Sequence, residues 1–195
     1  VLHMLHRELG ETLFRKSIKA YVRKNAGRVV ETVDLINAIE ETTGLNMRRF
    51  FDQWVFGAGH PEFQIRSWWN ATKKELNMRV TQTHTQNAET GLFSINTEFA
   101  FLIGKTWKRE KIRLEKKSHL FTFKLSSEPA VVLFDPDHAI LKKVDFPKSE
   151  TAWTAQLQND SNPLGRIDAV HELAKIGSLD TVASVRSALL SDPFW

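Results

Sequence analysis

The run Asn46–Phe63, NMRRFFDQWVFGAGHPEF, constrains the fold more than any other stretch, because two incompatible periodicities meet inside it. Met47, Phe50, Phe51, Trp54 and Val55 share one face of a helix, whereas the residues from Phe63 onward alternate as those of a strand do. The helix is expected to end at Gly57, and the chain then turns through Gly59-His60-Pro61. A change of period of this kind marks a domain junction, with helices before it and sheet after it.

Upstream of the junction the pattern is helical. Leu2, Leu5 and Leu9 suggest the tail of a helix entered before Val1, and Gly10 breaks it. Phe14, Ile18, Tyr21 and Val22 supply the i, i+4, i+7, i+8 stripe of an amphipathic helix that closes near Asn25-Ala26-Gly27. Thr32 is the expected N-cap of the next helix, with Asp34 suiting its positive end and Leu35, Ile36 and Ile39 facing inward. Gly44 is a natural left-handed C-cap, and Asn46 can cap the aromatic helix.

Downstream, short alternating or apolar runs recur: Phe63–Trp69, Leu76–Thr83, Phe93–Ile103, Trp107–Leu114, Leu120–Leu125, Ala130–Phe134 and Ile140–Phe146. Strands at this spacing predict an antiparallel sandwich. Asp135-Pro136-Asp137 is a turn between the last two, and 87–91 and 126–129 are loops. From about Ser149 the period is helical again. Asn162-Pro163 starts a helix with Ile167, Val170, Leu173 and Ala174 as its stripe, Gly177 stops it, and Val182, Val185 and Leu189 mark another that ends at Asp192-Pro193. Two short antiparallel helices look like one unit of an α-solenoid, which cannot bury both faces alone. Val1 inside a helix and Trp195 on a corner lead to the expectation that the chain is a piece of a larger protein.

Composition narrows the function classes. No apolar run approaches the roughly 18–20 residues that span a bilayer, and no secretory leader is expected at the N-terminus. With no cysteine, disulfides and thiolate chemistry are excluded, while the compartment stays open. The net charge of +4 comes from 27 basic against 23 acidic residues. Much of the excess lies in Lys105–Lys117, KTWKREKIRLEKK, where Trp107, Ile112 and Leu114 alternate in part with charges. That is the pattern of a strand with one wet face, so no nucleic-acid partner is expected.

Candidate chemistry is sparse. His3 and His6, with Glu8 near, lack the i, i+4 spacing and intervening glutamate of a helical zinc pair. Glu40 and Glu41 diverge by about 100° on a helix and cannot converge on one substrate atom. His60 is the most tempting general base, yet no Ser, Cys or paired carboxylate stands at an informative spacing from it, so it is expected to pack across the junction or cap a helix. Asn70-Ala-Thr72 and Asn159-Asp-Ser161 match the glycosylation sequon, which matters only in a secreted protein. Trp68 and Trp69 point to opposite faces of a strand and form no stacking platform.

The order of features carries more than any one of them. Val1-Leu-His-Met-Leu5 followed by Leu9-Gly10 and Phe14 resembles the VLxMLR…LG…F string of the zinc aminopeptidases of the membrane-alanyl (aminopeptidase N) family, in the gluzincin clan. So do Tyr21, Thr32-Val-Asp34-Leu35, Ile39-Glu40 with Thr43-Gly44, Phe50-Phe51-Asp52-Gln53-Trp54 and the Gly57-Ala-Gly-His-Pro61 exit. Val80-Thr-Gln82-Thr83 looks like the family's V-x-Q-T strand and Phe134-Asp-Pro136 like its V-D-P turn. Gln156-Leu157 with Arg166, Ala169 and Leu173 looks like the first helices of its C-terminal solenoid.

The resemblance implies an α+β multidomain fragment. Residues 1–60 would be the last helices of a thermolysin-like catalytic domain, 61–148 the β-sandwich, and 149–195 the start of a HEAT-like helical domain. It implies a parent enzyme in which zinc activates water to remove N-terminal residues from peptides, with peptide substrates and the remainder of the parent chain as partners. The family's zinc ligands, its GxMEN-type strand and its intermediate-stabilising tyrosine would all lie upstream of Val1. No catalytic, cofactor-binding or metal-ligating residue is therefore carried onto any position, and Tyr21 is not the counterpart of that tyrosine. Neither zinc nor activity is expected of this chain alone. Two other classes stay open here. One is a scaffold of the same architecture that has lost the zinc site, and the other a nucleic-acid-binding module whose affinity would fall steeply with salt.

Overall fold

The computed structural model describes residues 1–88, 90–192 and 194. Glu89 of the expected 87–91 loop, Pro193 of the expected Asp192-Pro193 corner, and Trp195 lie outside the described residues. Contacts gather the chain into two units, residues 1–60 with 85–93, and residues 61–84 with 94–195.

The first unit is helical. α1 (Leu2–Lys24) holds Gly10 at φ 74°, ψ 162°, so the expected break is a kink between two helical segments. α2 (Thr32–Thr43) is capped by Glu31, one residue before the expected Thr32, because the Glu31 N–H donates to Asp34 Oδ2 at 2.8 Å. Gly44 closes it in the left-handed conformation at φ 71°. Leu5, Leu9, Ile36, Ile39 and Phe51 form the core, with Phe14, Leu35, Met47 and Phe50 packed against it. Val22 is exposed, and buried Ser17 takes part in the packed face instead, accepting from Thr42 Oγ1 at 3.4 Å.

The aromatic helix departs from its expected geometry. α3 (Arg48–Phe51) has Met47 at its N-cap, one residue after the expected Asn46, whose Oδ1 still accepts from the Arg48 N–H at 2.9 Å. It then widens into a π-helical turn over Asp52–Phe56, closed by the Gly57 N–H on Asp52 O at 2.7 Å. A Cβ at Gly57 would meet Asp52 O at 2.9 Å, so the closure needs glycine. A π turn inserts a residue and rotates the side chains beyond the insertion around the helix axis. Phe51 is buried in the core with Phe50 and Met47 partly buried against it, Val55 and Phe56 turn to solvent, and the Trp54 ring lies 5.2 Å from Phe93, tilted by 36°. Thr90 Oγ1 donates to Ala58 O at 3.1 Å, tying the 85–93 loop to the helix exit.

In the second unit, β1 (Glu62–Asn70), β2 (Glu75–Gln82), β5 (Ser118–Lys124) and β7 (Lys143–Asp145) form a 4-stranded sheet in the order β5-β2-β1-β7. A 3-stranded sheet contains β3 (Ile95–Ile103), β4 (Thr106–Leu114) and β6 (Val131–Phe134), in the order β4-β3-β6. All pairings are antiparallel except one. β7 runs parallel to β1, with Phe63 opposite Val144, which corrects the expectation of an all-antiparallel sandwich. The two sheets meet through aromatic rings: Phe99 lies 6.4 Å from Phe121 and 5.8 Å from Phe123, Phe101 lies 4.9 Å from Phe123, and Phe134 lies 5.3 Å from Phe63.

The central strand β3 is buried on both faces over its second half, which is why it reads there as the continuous run FAFLI rather than an alternation. Ala100, Leu102, Val131 and Leu133 on its outer face pack with Trp107 and with Ala155 of α4 (Glu150–Asn159). The opposite side of α4, Trp153 and Leu157, packs on Ala169 and Leu173 of α5 (Pro163–Ile176) and on Val185 and Ala188 of α6 (Leu179–Ser191). The expected stripes on α5 and α6 hold only in part, through Val170, Leu173 and Val185. Ala174, Val182 and Leu189 are exposed, and the small residues Gly165, Ala169 and Thr181 are buried in their place.

Between β6 and β7 the turn at Asp135 is built on a carboxylate. Asp135 sits at φ 52° and is 3% exposed. Its Oδ1 accepts from the Ala139 N–H at 3.1 Å, and its Oδ2 accepts from the Ile140 N–H at 3.0 Å and from Lys142 Nζ at 2.5 Å. Breaking a buried pair strands the remaining charge. Asp135→Asn should therefore cost about 3–5 kcal/mol, read as a lower urea midpoint with the m-value unchanged. A midpoint equal to wild type would show that Lys142 reaches water freely.

Candidate functional site

The structure does not bring the sequence candidates together. His3, Glu8, Glu40 and His60 are exposed, and His60 remains in the turn between the helical exit and Pro61. His6 Nε2 lies 2.5 Å from a Glu11 carboxylate oxygen, and its ring is 4.7 Å from Phe14. Glu11 also pairs with Arg15, and these hydrogen bonds hold its carboxyl below the usual range. Glu41 pairs with Lys24 at 2.7 Å. Among the described residues no three His, Cys, Asp or Glu side chains gather as a metal site. On β4, Arg109 is committed to Glu98 and Asp137, each at 2.8 Å, so the basic strand is partly neutralised in place.

A different place in the fold concentrates chemistry. A cleft of about 690 Å3 in the second unit is lined by the β6–β7 connection, the segment after β7, and α4 and α5. Phe146-Pro147-Lys148 runs along its wall and leads into α4, whose N-cap Ser149 accepts from the Ala152 N–H at 3.2 Å. The Lys148 side chain is only half-buried as a whole, but its Nζ lies among protein groups. It donates to Gln156 Oε1 at 2.6 Å and lies 4.9 Å from the Phe146 ring centre and 4.3 Å from that of Trp153. Removal from water pushes this ammonium from 10.5 down to about 7, against the upward pull of Asp160, Asp168 and Glu172.

The groups behind Lys148 form a connected set. Gln156 Nε2 donates to Gly165 O at 2.8 Å, so one amide joins Lys148 to the first turn of α5. Asp160 Oδ1 accepts from the Asn162 N–H at 2.9 Å, while burial pushes the Asp160 carboxyl up and His138, Lys148 and Arg166 draw it down. A Cβ on Gly165 would lie 2.0 Å from Asp160 Oδ2, so this close approach depends on glycine. Arg166 donates through Nε and a terminal nitrogen to the Asp192 carboxylate at 2.5 and 2.8 Å, and to Asp160 O at 3.0 Å. His138 faces Asp168 at 3.8 Å across the cleft. Sequence reasoning passed over Lys148. The only available signal was its position just before a helix, with Trp153 and Gln156 one and two turns in.

Similarity to known proteins runs through both units. The sequence pattern of the peptidase family M1 domain matches residues 1–54. Aminopeptidase N of Lactococcus lactis subsp. lactis is 24% identical over 198 aligned positions, covering 97% of this chain and 23% of that protein. Aminopeptidase M1-A of Oryza sativa subsp. japonica is 32% identical over 89 residues, which is 46% of this chain and 10% of that protein. The chain is a relative of the M1 aminopeptidases.

The fold agrees with that relation. The crystal structure of Legionella pneumophila aminopeptidase A in complex with aspartic acid superposes with a TM-score of 0.76 at 17% identity, over 98% of this chain and 24% of that one. The chain thus spans about a quarter of the length of these two aminopeptidases, which it matches end to end. The Lys148 cleft lies in the second unit, downstream of the residues matched by the M1 pattern.

Two outcomes test the cleft. Because the folded value of Lys148 lies below its ordinary one, the unfolded chain binds more of this proton between about 7 and 10.5. The Lys148 contribution is complete above that window and is lost as pH falls through about 7. Urea titrations should show the stability of wild type rising with pH relative to Lys148→Met, by up to about 1.4 kcal/mol per unit. Parallel pH profiles would mean a hydrated ammonium. Separately, Gly165→Ala should lower stability by roughly 1–3 kcal/mol, and an unchanged midpoint would show that Asp160 swings aside without loss.

Proposed function

We propose that this chain is a non-catalytic part of a zinc-dependent aminopeptidase that removes N-terminal residues from peptides. In this reading residues 1–60 are the last helices of a thermolysin-like catalytic domain, 61–148 its β-sandwich neighbour, and 149–195 the first helices of a HEAT-like domain. The observation that carries the reading is the proximity of two limits: the M1 match spans residues 1–54, and the helical segment of the first unit ends at Phe56. Likeness to aminopeptidase N over 97% of the chain supports extending the assignment past that helical segment.

The residues present do not fit a zinc centre of the family type. The sequence contains no HExxH string, His3 and His6 stand three apart, and His6 is engaged with Glu11 and Phe14. No catalytic step is therefore assigned to this chain. Its role is to support: α1 and α2 would brace the catalytic helices from behind, and the sandwich would hold the C-terminal helices in place. Peptide substrates and the rest of the parent chain are the partners this reading implies.

Metal analysis after dialysis against zinc, paired with an aminoacyl reporter assay, tests the assignment. The expected result is less than stoichiometric zinc and no turnover. One tightly held zinc per chain, or hydrolysis above the buffer rate, would remove the non-catalytic role. An HExxH motif with a distal glutamate in the coding sequence ahead of Val1 is the matching expectation for the parent.

A further inference from the structure

We propose that the cleft at Lys148 is a binding site for small uncharged apolar aldehydes, which condense with the Lys148 amine to form an imine. The proposal uses only residues of this chain and is independent of the peptidase reading. Three observations carry it. The volume of about 690 Å3 falls within the range of small-molecule pockets, roughly 300–1,000 Å3. Leu133, Phe134, Phe146 and Trp153 contribute apolar wall on which a hydrocarbon or aromatic body can rest. The nitrogen is held in place by its 2.6 Å hydrogen bond to Gln156 and by the ring faces at 4.3 and 4.9 Å, so the amine does not wander as a surface lysine does.

The chemistry balances without a co-reactant. The lone pair of the neutral amine adds to the carbonyl carbon, and the C=O π pair moves to oxygen. That oxygen takes up the proton which nitrogen gives up, leaving a carbinolamine. Loss of the hydroxyl as water, with the remaining N–H proton, forms the C=N bond. His138, Asp168 and Glu172 line the same cleft and can carry the proton between nitrogen and the departing oxygen. Lys142 and Lys175 line the cleft beside these carboxylates and pair with Asp135 and Glu172, so opposite charges offset one another there and leave no unbalanced charge to select a charged aldehyde. The burial that disfavours the charged form keeps about half of this amine neutral near pH 7, against about one in three thousand for an ordinary lysine.

Benzaldehyde with cyanoborohydride, followed by peptide mapping in a mass spectrometer, reads the site directly on the intact chain. Near neutral pH, Lys148 should carry at least about tenfold more benzyl adduct than exposed Lys73 or Lys117, a margin that leaves room for steric loss against the larger difference in free amine. Its labelling should saturate with benzaldehyde, and the excess should shrink near pH 10, where ordinary lysines begin to lose their protons. Lys148→Arg should abolish the saturable uptake and leave the adducts on Lys73 and Lys117 unchanged. Labelling of Lys148 no faster than that of Lys73, or a linear dependence on benzaldehyde, would overturn the proposal.

Discussion

Between β6 and β7 the chain leaves one sheet and joins the other, and it must turn sharply enough for β7 to lie alongside β1 in parallel. The Asp135 carboxylate makes that crossing. By accepting from two backbone N–H groups and from Lys142, it satisfies donors that a tight connection would otherwise leave unpaired. The direction in which the chain exits this crossing decides where Phe146-Pro147-Lys148 runs and where α4 begins. The cleft, the Lys148 environment and the docking of α4 on the outer sheet face all depend on one buried acid.

α4 is the element that makes the second unit continuous. A helix only 10 residues long cannot stand alone, and its two sides are used differently. Ala155 lets it approach the outer face of the 3-stranded sheet closely, while Trp153 and Leu157 supply bulk toward α5 and α6. Asn162 adds a polar tie by donating to Pro136 O at 3.0 Å, beside the Asp135 turn. Sheet and helices therefore share one packed body in place of two cores joined by a linker.

Much of this was legible in the sequence, because burial of apolar side chains imposes a period. Each strand lies within a few residues of its expected run, as Trp107–Leu114 against Thr106–Leu114 illustrates. The misses share a cause: periodicity reports which residues are apolar, not which surface is covered. Beside Leu173 and Val185, α5 and α6 bury Gly165, Ala169 and Thr181, whose small side chains permit close approach but add little to an apolar stripe. The π turn at Asp52–Phe56 shifts Trp54 and Val55 by a backbone choice that hydrophobicity does not encode. Parallel pairing of β7 depends on a distant partner, and a strand of 3 residues carries no mark of its direction. The Lys148 site was illegible for the same reason, since a lysine in a polar stretch reads as solvated until Phe146, Trp153 and Gln156 are brought around it.

The parallel β1–β7 pair has a mechanical consequence. β1 begins at Glu62, directly after the helical segment of the first unit, and β7 ends at Asp145, just before the C-terminal helices. Tension along the chain would enter at the start of β1 and leave at the end of β7. In neighbouring parallel strands those two points pull along the strand axis in opposite senses. The Pro61–Lys143 bond and the three register pairs after it, from Glu62 with Lys143 to Gln64 with Asp145, would then be loaded together as a shear clasp rather than opened one after another as in a zipper. The other five strands would lie off the force path, leaving this short pair as a strut between the segments it joins.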